Sequence, residues 1–209
     1  HAFEARLYAE DVPAGFLPAT GTLAHLHFPA SARIDSGVSS GDTISPWYDP
    51  MIAKLTTHGP TRAVALARLR AALEETQIAG TVTNRDFLAA LTRHAGFAAG
   101  EVDTGLIGRD IATLTAQPDI PVHSVALAAL AVAGAGRGGD TRGFTLWEPL
   151  WQKMALRRGE HSHDARVARA GSGWQVRIDE ALVEAELRSG QWWLDGQRAQ
   201  GQARGLGDA

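Results

Sequence analysis

The sequence predicts an α+β chain of two domains, on three observations. Runs with a period of two stand near both ends: Phe3, Ala5, Leu7 and Ala9 against Glu4, Arg6, Tyr8 and Glu10, and later Trp174, Val176 and Ile178 against Gln175, Arg177 and Asp179. Segments with helical spacing lie between them, such as Leu66, Leu69 and Leu73. The stretch Gln117-Pro118-Asp119-Ile120-Pro121 has no apolar period and two prolines, which suits a linker. Residues 1–116 are thus expected to form an antiparallel sheet with helices, and residues 122–209 a helix followed by short antiparallel strands.

The chain has 209 residues, enough for one or two cores. Its net charge of −3 gives no electrostatic case for nucleic acid or an anionic membrane as partner. It has no cysteine, which excludes disulfides and thiolate metal sites. No stretch reaches the ~18 apolar residues of a membrane-spanning helix.

The first strand, residues 3–9, places Arg6 on the face opposite Phe3 and Leu7. Leu17 to Gly21 reads as a turn, and residues 22–28 alternate again. His25 and His27 share a face there, but no acidic residue stands close, so they read as surface histidines and not a metal pair. Residues 31–38 form a further strand bearing Arg33, and Gly41-Asp42 is a turn. In residues 44–55, Pro46 and Pro50 stiffen Trp47-Tyr48-Asp49. Met51, Ile52, Leu55 and Trp47 are apolar enough to be buried; Lys54 falls on the exposed side. Asp49 is then either part of a strand entrance or aimed at a ligand.

Gly59-Pro60-Thr61 ends the sheet, and residues 62–75 read as a helix whose arginines form a solvated face. Residues 77–81 are a short strand or connector. A second helix covers residues 83–93, with Thr83 and Asp86 spaced as a capping box. Residues 106–114 form a third, in which Leu106 and Ile107 read simply as core. Residues 122–133 form an Ala-rich helix. The glycine run at 134–139 follows a helix and not a strand, so it reads as a flexible loop and not as a phosphate cradle. Five short runs after residue 150 have the spacing of an antiparallel barrel or sandwich, and His161-Ser162-His163-Asp164 reads as a polar hairpin turn. Trp147, Trp151, Trp174, Trp192 and Trp193 all follow the linker. Trp174 should face inward with Val176 and Ile178, and one of the adjacent Trp192 and Trp193 should lie outside.

Several stretches together carry a family resemblance. They are Ala2-Phe3-Glu4-Ala5-Arg6-Leu7-Tyr8-Ala9-Glu10-Asp11, Gly15-Phe16-Leu17-Pro18-Ala19-Thr20-Gly21, Arg33-Ile34-Asp35-Ser36-Gly37-Val38, Gly41-Asp42-Thr43-Ile44 with the following Trp-Tyr-Asp segment, Gly80-Thr81-Val82-Thr83-Asn84, and Val102-Asp103-Thr104-Gly105-Leu106-Ile107. In this order and spacing, residues 1–115 resemble the C-terminal part of the biotin carboxylase component of biotin-dependent carboxylases. The likeness is best to the biotin-carrying α subunit of acyl-CoA carboxylases, with a leaning toward 3-methylcrotonyl-CoA and leucine degradation. Geranyl-, propionyl- and acetyl-CoA, pyruvate and urea carboxylases stay open.

The resemblance implies that Arg6 stabilises the enolate-like ureido oxygen of biotin, where charge builds once N1′ is deprotonated. It implies that Asp49 positions that site, that Arg33 lies at a carboxylase homodimer contact, and that Leu106 and Ile107 border the adenine of ATP. The implied reaction uses biotin, MgATP and bicarbonate in an ATP-dependent ligase. For residues 122–209 the weaker likeness is to the helix plus small β-barrel that joins the α subunit to the carboxyltransferase β subunit. Other implied partners are the ATP-grasp and biotin carrier domains of the same subunit. The implied location is the cytoplasm, or the mitochondrial matrix in a eukaryote. The family usually has glycine before this His1, so the chain is expected to be a piece of a longer subunit. The ATP-grasp residues would precede it, and the Met-Lys-Met biotinylation motif is absent. The second reading is therefore an assembly module with no chemistry of its own.

Overall fold

The computed structural model describes residues 1–117, 119–136, 149–158, 161–199 and 201. The chain divides into two units, His1–Gln117 and Pro118–Ala209. In the first, the strands are β1 (Ala2–Tyr8), β2 (Glu10–Asp11), β3 (Leu17–Pro18), β4 (Gly21–Thr22), β5 (His25–His27), β6 (Arg33–Ser36), β7 (Thr43–Ile44), β8 (Met51–His58) and β9 (Gln77–Ala79). The helices are α1 (Arg62–Glu75), α2 (Arg85–Arg93), α3 (Ala95–Ala99) and α4 (Leu106–Leu114).

The principal sheet is antiparallel, in the order β1-β8-β6. Alternation along β1 sends Ala5 and Leu7 inward against Leu55 and Ala53 of β8, and leaves Glu4 and Arg6 outward. Helix α1 covers the inner face with Leu69, Ala72 and Leu73, and Leu7, Ile52, Leu55 and Leu73 are fully buried. Each such side chain contributes about 1.5–3 kcal/mol by leaving water. Thr61 starts α1 by accepting a hydrogen bond from the Val64 amide on its hydroxyl. At the other end the Thr76 hydroxyl donates to the Ala72 carbonyl at 2.7 Å.

Several expectations are corrected. Residues 22–28 are not one strand. Gly21 and Thr22 pair with β7, whereas residues 25–27 pair with β9. The switch occurs where Gly80 crosses: its φ is +110°, and a Cβ there would run into the Thr22 carbonyl oxygen. Trp47 is 91% exposed and not buried, because the Pro46–Pro50 turn carries it away from the sheet. Arg62 is not a solvated-face residue. Its guanidinium lies 4.8 Å from the Phe3 ring centre and donates to the carbonyls of Phe97 and Ala98. This ties α1 to the short helix α3, which the glycine-rich sequence does not announce. The Thr83–Asp86 capping box is not made: α2 begins after Asn84, whose side chain is engaged elsewhere.

In the second unit, α5 (Val122–Val132) precedes β10 (Gln152–Arg158), β11 (His161–Ala170), β12 (Gly173–Ile178), β13 (Ala181–Arg188), β14 (Gln191–Leu194) and β15 (Gln197–Arg198). These strands pair consecutively as an antiparallel meander, and among the described residues β10 and β15 are not paired with each other. Alternation places Val167, Val176, Val183 and Leu194 against Val125, Ala126, Ala129 and Leu130 of α5. Trp174 packs on this core, its ring centre 5.1 Å from that of Trp192 in an edge-on contact. Trp193 points to the other face and carries the Arg188 guanidinium 4.8 Å from its ring centre. His161, His163 and Asp164 belong to β11 and not to a turn, and His163 bonds to Asp179 at 3.2 Å. Gly138, Gly139 and Trp147 lie outside the described residues. Among the described residues, no helix is long and apolar enough to cross a membrane.

Replacing Gly80 by alanine should lower stability by about 1–3 kcal/mol, through the clash and the positive φ. Urea unfolding would measure it; an unchanged midpoint would remove Gly80 from its role as the crossing point.

Candidate functional site

The outward face of β1-β8-β6 carries a chain of alternating charges. Arg6 stands directly opposite Lys54, and Lys54 opposite Asp35. Arg6 and Lys54 would repel, but Glu4 lies 3.6 Å from Arg6 and 3.9 Å from Lys54. Asp35 closes the series, at 4.0 Å from Lys54 and 3.2 Å from Arg33. Arg6 and Arg33 are therefore brought onto one sheet face and linked through Glu4, Lys54 and Asp35. Lys54, which the sequence offers only as an exposed strand residue, is the hub of this series.

The guanidinium of Arg6 is only loosely occupied. Its side chain is 63% exposed, and the Glu4 contact at Nε is its only ion pair among the described residues. By contrast, its backbone is firmly held. The buried Asn84 amide accepts a hydrogen bond from Tyr8 N–H at 3.0 Å and donates to the Arg6 carbonyl at 3.2 Å. The Asn84 N–H also donates to the Tyr8 carbonyl. These bonds fall where the β1–β8 register shifts between Leu7 and Tyr8, so Asn84 satisfies backbone groups beside the irregularity. Glu10 receives a longer bond from the same amide, and burial pushes its carboxyl above the ordinary carboxylate value, with that bond partly offsetting the effect.

Asp49 sits on the turn leading into β8. Its carboxylate accepts a hydrogen bond from the Met51 N–H at 2.9 Å, and the carboxylate touching Arg6 is that of Glu4. Neighbouring Tyr48 is 85% exposed. Leu106 and Ile107 stand apart, on α4, which packs on α2. Leu106 is buried and Ile107 is exposed. The start of α4 is built by Asp103, which accepts bonds from Gly105 N–H at 2.7 Å and from both terminal nitrogens of Arg109 at 2.9 Å. The Arg109 guanidinium and these bonds hold the Asp103 carboxyl below its ordinary value of 3.8. His94 braces the same region: Nδ1 accepts from Phe97 N–H, so Nε2 carries the proton donated to Asp110 at 3.1 Å. Among the described residues no group of three or more histidine or acidic side chains could hold a metal ion. Sequence reasoning passes over Asn84, Glu4 and Asp35; for Asn84 the only cue is its position in Gly80-Thr81-Val82-Thr83-Asn84.

The first unit is an antiparallel sheet backed by α1 and α2 whose outer face presents a backbone-clamped arginine. A family described as the biotin carboxylase C-terminal domain matches residues 4–109, half of the chain, and the chain belongs to that family. Similar proteins include the mitochondrial methylcrotonoyl-CoA carboxylase subunits alpha of Glycine max, 53% identical over 51% of this chain and 15% of its own length, and of Arabidopsis thaliana, 45% identical over 64% and 20%. Among solved structures, the biotin carboxylase domain of the Hydrogenobacter thermophilus 2-oxoglutarate carboxylase is similar over 56% of this chain and 26% of its own, at 31% identity and a TM-score of 0.54. The chain spans only about a fifth or less of the length of these curated relatives.

Two outcomes follow from this geometry. Asn84→Ala should cost about 1–3 kcal/mol in denaturant unfolding, because it orphans buried backbone groups of β1; a smaller loss would show that water replaces the amide. Arg109→Ala should return the Asp103 carboxyl toward 3.8 in an NMR titration. Because Asp103 is depressed in the folded state, its contribution to stability is complete above its unfolded value and fades as pH falls through the folded one. An unmoved titration would remove Arg109 as the cause.

Proposed function

We propose that this chain is part of the biotin-carrying α subunit of a biotin-dependent acyl-CoA carboxylase, with 3-methylcrotonyl-CoA as the acyl substrate of the complex. The observation that carries this reading is Arg6: its main chain is locked by Asn84, while its terminal guanidinium nitrogens make no hydrogen bond among the described residues. The sequence relatives, which are 45% to 54% identical and named methylcrotonoyl-CoA carboxylase subunit alpha, support the choice of acyl-CoA.

Biotin, carried on another domain of the subunit, would supply the ureido nitrogen that takes up the carboxyl group of bicarbonate after MgATP has activated it. Arg6 fits that chemistry because its open N–H donors can meet an oxygen on which negative charge develops, and a fixed donor needs no reorganisation at that moment. Glu4 restrains the Arg6 side chain from one side without filling its donor set. Asp49 shapes the turn into β8 through its bond to Met51 and acts as a positioning residue. Arg33, at the far end of the charge series, faces the carboxylase homodimer contact. Ile107 offers its exposed surface to the adenine, with Leu106 packed beneath as support.

The second unit, in this reading, joins the subunit to the carboxyltransferase β subunit. Its support is a helix-backed meander whose outer face displays Trp193. The location implied is the mitochondrial matrix if the source is a eukaryote, and the cytoplasm otherwise.

In the intact subunit, Arg6→Ala should abolish biotin carboxylation while sparing most bicarbonate-dependent ATP cleavage. Asp49→Asn should impair carboxylation less than Arg6→Ala does, since geometry is disturbed and no stabilising charge is lost. Equal loss of both activities in Arg6→Ala would overturn the biotin-facing role.

A further inference from the structure

We propose that a cationic row on the outward face of the second unit's sheet is the surface that docks on an acidic patch of the carboxyltransferase subunit. The proposal rests on the subunit-joining reading of this unit and says which face does the joining.

Three cations stand side by side across three strands. Lys153 of β10 is directly opposite Arg166 of β11, and Arg166 is directly opposite Arg177 of β12. All three are exposed, on the face opposite the buried Val167 and Val176. Like charges directly opposite one another on a sheet are destabilising. On the first unit's sheet the same problem, Arg6 facing Lys54, is relieved by Glu4 and Asp35. Here no such relief is built in. Asp164 and Glu184 share the face, yet among the described residues no carboxylate comes within 4.0 Å of Lys153, Arg166 or Arg177. An exposed, uncompensated cationic row gains from an anionic partner that relieves this repulsion.

The row also indicates what kind of anion. Neighbouring strands are roughly 4.8 Å apart, so three strands spread the charge over roughly 10 Å. That length matches several carboxylates on a protein surface better than one small anion. The row ends in an apolar residue: Leu182 of β13 is opposite Arg177 and is 48% exposed. Trp151 lies against Arg177, whose guanidinium is 5.2 Å from its ring centre. Arginine and tryptophan are both enriched at protein interfaces. A polyanion such as nucleic acid or an anionic membrane is disfavoured by the chain's net charge of −3.

The test uses the full-length α subunit with the β subunit from the same source, measuring their dissociation constant over a range of salt. R166E and R177E, singly and together, should weaken binding at least tenfold at low salt and flatten its salt dependence, while R166K/R177K retains both. R166E places an anion between two cations, so its thermal midpoint should equal or exceed that of the parent, which separates lost docking from misfolding. A subunit lacking residues 118–209 serves as the reference. If it still binds the β subunit, the subunit-joining reading falls and this proposal with it. If it does not bind, but the charge reversals leave affinity and salt dependence unchanged, the reading stands and the cationic row is not the docking face. Loss of binding to anionic vesicles or duplex DNA in R166E/R177E, with β-subunit binding intact, would also overturn the proposal.

Discussion

The first unit depends on one buried amide. Asn84 is where the segment after α1 returns to β1, and its side chain does the work of a missing strand neighbour for Arg6 and Tyr8. A strand edge with unsatisfied backbone groups beside an irregular register would be free to shift. Asn can close both groups because it offers a donor and an acceptor on one planar amide. The clamp also reaches the side chain: Arg6 stands where the backbone is held, so its guanidinium has a fixed origin and an open end.

This division of labour explains how exposed charges keep a defined geometry. Surface ion pairs individually contribute little, and none of the contacts among Glu4, Arg6, Lys54, Asp35 and Arg33 is buried. Their placement comes from below, where Leu7, Leu55 and Leu73 fix the strands against α1. The charge series then sets only the side-chain directions. Arg62 contributes in the same indirect way, since its contacts with Phe3, Phe97 and Ala98 bind the start of β1 to α3.

Local patterns made much of this legible. The period of two along β1 assigns Arg6 to the outer face, and the leucine spacing of α1 and the alternation of Trp174, Val176 and Ile178 read directly as burial. What escaped depends on contacts distant in sequence. Asn84 reads as an ordinary helix start, because nothing local reveals that it reaches Arg6 and Tyr8. Residues 22–28 look like one strand because the crossing by Gly80 lies far along the chain. Trp47 looks like core by composition, and only the turn between its flanking prolines carries it into solvent. Lys54 is unremarkable until the pairing of β8 with both β1 and β6 places it between Glu4 and Asp35.

The two sheets make a useful physical contrast. Both place cations opposite one another on an outward face. In the first, the carboxylates of Glu4 and Asp35 stand between the cations and offset most of their charge, and the terminal nitrogens of Arg6 stay open among the described residues. In the second, alternation places Val167 and Val176 in the core and thereby forces Arg166 and Arg177 out together, next to Lys153. Burial fixes which face these residues occupy but is indifferent to the sign of the charge placed there. A neutral or alternating set would satisfy the same core with less repulsion. Folding sets the face these residues occupy and not their sign, and under the docking proposal the partner supplies the counter-charge.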